Sequence, residues 1–86
     1  MAISGWVEKR DKGNVVYAFE KGDWGVALIA PDKYHPDAEL RFLNFKTEDT
    51  FAITGSPSIM LKKSKKELLD IADRHILRRG KLKKVM

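Results

Sequence analysis

The sequence predicts an α+β domain, a bent antiparallel sheet of about five strands with one C-terminal α-helix, for which a small SH3-like or OB-like barrel is the closed alternative. Three observations carry that expectation. Up to residue 60 the apolar residues come in short runs separated by turn-forming residues, the pattern of an antiparallel meander. Helical spacing of apolar residues appears only after Ser64. At 86 residues, 43% of them apolar, the chain can build one core and is far too short for two, since chains divide only beyond roughly 250 residues. Residues 1–80 are expected to form the single domain and residues 81–86 a basic C-terminal tail.

Taken in order, Ile3 to Glu8 reads as the first strand, and Asp11-Lys12-Gly13-Asn14 reverses the chain. Val15 to Glu20 is the second strand, with Val15, Tyr17 and Phe19 on the core side by the two-residue period. After Lys21-Gly22-Asp23 the third strand, Trp24 to Ala30, is apolar on both faces, which suits a central or barrel strand; Gly25 within it marks a bulge or a close backbone approach. Pro31 to Asp37, with two prolines and two aspartates, is a surface loop. Glu39 to Phe45 is the fourth strand, and the change of apolar parity between Phe42 and Leu43 predicts a bulge there. Thr50 to Thr54 is the fifth strand, Gly55 to Ser58 a break, and Ile59-Met60-Leu61 either a further short strand or packing at the crossing.

Ser64-Lys65-Lys66-Glu67 is a capping box, in which serine accepts from an early amide and glutamate reaches back to the cap. Leu68, Leu69, Ile71, Ala72 and Ile76 form the apolar stripe of the C-terminal helix, and Gly80 is its expected end.

Charge is the most informative functional feature. Residues 1–60 hold seven Lys or Arg against nine Asp or Glu, a net of −2, whereas residues 61–86 hold ten against three, a net of +7. Clustered positive charge is the footprint of a surface that meets phosphate or an acidic protein surface. Lys62, Lys63, Lys65 and Lys66 stand at the start of the helix, and Arg78, Arg79, Lys81, Lys83 and Lys84 at its end, with Lys65 and Arg79 about 20 Å apart at 1.5 Å per residue. These nine are the candidate nucleic-acid contacts. The mixed face of Lys66, Glu67, Asp70, Asp73 and Arg74 suits ion pairs from Lys66 to Asp70 and from Asp70 to Arg74 rather than base reading. Contact would be with phosphates and low in sequence specificity. The competing expectation is a protein-binding module that inhibits or adapts a larger machine by occupying its surface. Trp6 and Trp24, near strand ends, and Tyr34, in the loop, are its candidate anchors.

Other classes find less support. With no cysteine there is no disulfide framework, thiolate zinc site or thiol nucleophile, and a cytoplasmic setting is expected. The longest apolar run, Val26 to Ala30, is far short of a membrane span, and the N-terminus lacks an apolar export segment. The alternation of His35, Asp37 and Glu39 falls in a turn-rich loop, His75 sits at the edge of the helical stripe, and the six glycines never gather into a phosphate-cradling loop. A non-enzymatic chain without cofactor or metal is therefore expected.

Overall fold

The computed structural model describes residues 2–10 and 13–85, and for 2 and 80–85 the backbone alone. The chain begins with a tight hairpin, β1 (Ala2–Ile3) and β2 (Trp6–Lys9), where the sequence predicts a single strand. Ser4 and Gly5 both take positive φ, 53° and 86°, the conformation of a two-residue hairpin turn whose twist matches that of its strands. The meander continues through β3 (Val15–Lys21), β4 (Trp24–Ile29), β5 (Ala38–Asn44) and β6 (Thr50–Gly55). Each strand pairs antiparallel with its neighbour in chain order. Two helices come next, α1 (Pro57–Met60) and α2 (Lys65–Val85). The fold is α+β, as expected. Among the described residues no pairing joins β1 to β6, and the sheet they form is open rather than closed into a barrel.

Register corrects three expectations. The bulge between Phe42 and Leu43 is absent, since β5 pairs with β6 without a break from Ala38↔Gly55 to Leu43↔Thr50. The parity change has another cause: Leu43 and Phe45 turn to the face opposite the core, where they are 39% and 49% exposed. The irregularity lies in β3, between Val15 and Tyr17: Val15, expected on the core side with Tyr17 and Phe19, pairs with Ile29 and stands on the opposite face, and Val16 is left exposed. At Gly25 the register is unbroken and the close approach is that of a side chain rather than of backbone. A Cβ there would stand 2.7 Å from Cζ of Phe45, whose ring lies over the glycine.

One face of the sheet carries the core. Trp6, Phe19, Val26, Leu28, Leu40 and Phe42 are buried against Leu68, Leu69 and Ala72 of α2 and Met60 of α1. Each large side chain so buried contributes about 1.5–3 kcal/mol. Of the two alternatives at Ile59-Met60-Leu61 the strand is absent, its place taken by the one-turn α1, and the packing is supplied by Met60 alone, with Ile59 and Leu61 exposed.

The capping box forms with altered contacts. The Ser64 hydroxyl accepts from the Glu67 amide at 3.2 Å and donates to the Glu67 carboxylate at 3.4 Å. At its other end α2 does not stop at Gly80 but runs through it to Val85. The cost of one interior glycine, about 1 kcal/mol, is offset by the good helix formers Arg78, Arg79, Lys81, Leu82, Lys83 and Lys84 around it. Ion pairs fix how α2 crosses the sheet: Lys65 bonds Glu8 of β2 at 3.1 Å, Asp73 accepts from Trp6 and Lys21, and Arg79 reaches Asp49 in the β5–β6 turn. The helix thus runs from the β2 side to the β6 side over one face, and the other face carries no helix among the described residues.

Candidate nucleic-acid interface

The basic residues of α2 divide according to the direction their helical position gives them. Lys65 points back to the sheet, bonding both carboxylate oxygens of Glu8 at 3.1 Å, with its ammonium 5.4 Å from the Tyr17 ring centre. Arg79 grips the Asp49 carboxylate with two N–H groups, Nη2 donating at 2.6 Å, and its guanidinium lies 4.5 Å over the Phe51 ring. The hydrogen bond to Asp49 holds Arg79 more firmly protonated than usual. The sequence offers both as phosphate contacts; the structure uses both as ties between helix and sheet. The physical reason is position, since residues 65, 68, 69, 72, 76 and 79 share the inward face of α2.

Lys63, half-buried just before α2, pairs with Glu67 at 3.9 Å, and exposed Lys66 pairs along the helix with Asp70 at 3.0 Å. Such surface pairs are worth little and yield readily to another anion. Lys62 and Arg78 are exposed and have no ion-pair partner among the described residues. The side chains of Lys81, Lys83 and Lys84 lie outside the described residues.

Arg74 is masked in the sequence by its expected pairing with Asp70. That carboxylate accepts from Lys66 instead, and Arg74 is exposed with no ion-pair partner among the described residues. One further signal was legible. Asp73 is the last carboxylate side chain in the sequence, and it faces Trp6 and Lys21 rather than water alone. From Arg74 onward the outward face of α2 presents Arg74, Leu77 and Arg78, related by three- and four-residue steps, with no acidic side chain among them. Arg74 and Arg78 stand about 6 Å apart along the axis.

The candidate protein anchors separate as well. Trp6 is fully buried, a correction to its expected exposure, because the Ser4-Gly5 turn sends it inward at the start of β2 and Asp73 accepts its indole N–H at 3.1 Å. Trp24 is half-buried, edge-on to Phe51 with ring centres 5.8 Å apart. Tyr34 is 79% exposed. Its loop is organised by Asp32, whose Oδ1 accepts the Tyr34 and His35 amides at 2.8 Å. These bonds, that from Tyr34 first, hold the Asp32 carboxyl below its ordinary range.

On the uncovered sheet face Ala18, Gly25, Ala27, Leu43 and Phe45 line a shallow depression of about 290 Å³. Lys9, Glu20, Glu39 and Arg41 share this face by strand register, two of each sign. Glu39 and Arg41 pair at 2.7 Å. Among the described residues no helix is long and apolar enough to cross a membrane. Comparison with family models, curated proteins and solved structures finds no match for this chain.

Proposed function

We propose that this chain is a small non-enzymatic binding protein that engages nucleic acid through its phosphates, using the outward face of the C-terminal half of α2. The observation that carries the reading is the uniform charge of that face. Arg74 and Arg78 are exposed and without ion-pair partners among the described residues, and no carboxylate side chain comes after Asp73. Contacts of this kind position a duplex without reading its bases, because phosphates are the same at every step. Lys62 at the other end of α2 extends the contact, Lys66 keeps Asp70 away from Arg74, and Lys65 and Arg79 keep the helix in place.

A second reading, a protein-interaction module, is favoured by the uncovered sheet face with Leu43 and Phe45 exposed on it. One pair of variants separates the two. Arg74→Glu with Arg78→Glu should abolish binding to labelled duplex DNA or RNA at low salt while circular dichroism stays unchanged. Leu43→Asp should leave that binding intact. The opposite pattern rejects the phosphate reading.

A further inference from the structure

The two edges of the sheet are built differently. At one edge β1 is only two residues long, which offers a further strand almost nothing to pair with. At the other, β6 is six residues long, Thr-Phe-Ala-Ile-Thr-Gly, without a charge or a proline, and it runs in unbroken register with β5. Edge strands are ordinarily protected by lysine, proline, bulges or brevity, and β6 has none of these. Among the described residues its backbone groups have partners only in β5. Phe51 and Ile53 on the core side are half-buried, since no strand flanks them beyond β6.

We propose that β6 is a pairing edge through which two copies of this chain join, antiparallel and two-fold, into one continuous sheet. The occupant is a second copy because β6 is self-complementary. A two-fold antiparallel pairing sets the strand against itself, and an uncharged strand meets no like charge in doing so. Phe51 and Ile53 of both copies then meet across the seam, extending each core over its exposed rim. Among the described residues the opposite edge, β1, offers only two residues to pair with, so the dimer presents no second edge of the β6 kind.

Net charge makes the pairing salt-dependent in a telling direction. Each copy carries +5, so salt screens their repulsion and strengthens pairing, whereas phosphate binding weakens with salt. Sedimentation velocity of the full chain up to about 1 mM tests this. A dimer should be found, with more of it at about 0.5 M than at about 0.05 M salt. Ala52 lies at the middle of β6 and is exposed, so two copies bring their residues 52 close together. Ala52→Lys alone and Ala52→Glu alone should each weaken association about tenfold or more, and an equimolar mixture should restore it. Val7→Lys, on the uncovered face of β2, should change nothing. A monomer at every concentration and salt overturns the proposal. So does a dimer indifferent to both Ala52 variants, a dimer lost on Val7→Lys, or an edge that captures a foreign extended peptide while the chain stays monomeric. Because no nucleic acid enters the experiment, its outcome is independent of the phosphate reading.

Discussion

At the scale of single residues, Trp6 shows how a side chain that looks like a binding anchor becomes a structural one. It is fully buried and its indole N–H is satisfied by Asp73. Trp6→Ala should therefore cost about 3–5 kcal/mol of stability in denaturant titration, the range for deleting a buried aromatic side chain. An exposed anchor would lose far less. Tyr17 makes a different prediction. Its hydroxyl is buried without a hydrogen-bond partner among the described residues, and desolvation, assisted by Glu8, pushes its pKa up to about 12 from 10.0. The unfolded chain releases this proton first, so above pH 10 the folded state holds more protons than the unfolded and stability falls as pH rises toward 12. Tyr17→Phe removes an unsatisfied hydroxyl along with this linkage. Urea titrations across that interval should show a shallower decline for the variant than for the parent; equal slopes contradict the assignment.

At the scale of elements, the helix start was legible because capping is local chemistry: Ser64 and Glu67 lie three residues apart and need only each other. The helix end was not. Gly80 in sequence looks like a terminator, but whether glycine stops a helix depends on the residues beyond it, and residues 81–85 propagate this one. Gly80→Ala should raise stability and helical content, by up to about 1 kcal/mol, since alanine is the better interior residue. A glycine at a left-handed cap would give the opposite sign, so denaturation with circular dichroism decides between the two geometries. Strands obey the same logic. Alternation reveals most of β3 and a run apolar on both faces reveals β4, whereas the parity change in β5 mimics a bulge because a sequence does not state that the second face has no cover. Leu43 and Phe45 look like core residues by type and stand on the uncovered face, Leu43 by register and Phe45 with its ring over Gly25.

At the scale of the whole molecule, the fold class and the concentration of charge could be read from the sequence, because both are sums over many residues. The division of labour among the basic residues could not. Lys65 and Arg79 become ties only when distant Glu8 and Asp49 come to meet them, and Arg74 becomes available only because Lys66 takes Asp70. The proposed phosphate binding therefore rests on a surface of a few outward cations rather than on every basic residue of the C-terminal segment. The most direct test is the affinity for a fixed duplex DNA measured across a salt series, for the parent chain and for the variant carrying Arg74→Glu and Arg78→Glu. Three to four phosphate contacts predict a slope of log K against log salt of roughly −3 to −4 for the parent, and only residual binding for the variant. An affinity indifferent to salt, or a variant that binds as the parent does, contradicts the claim that α2 meets phosphate.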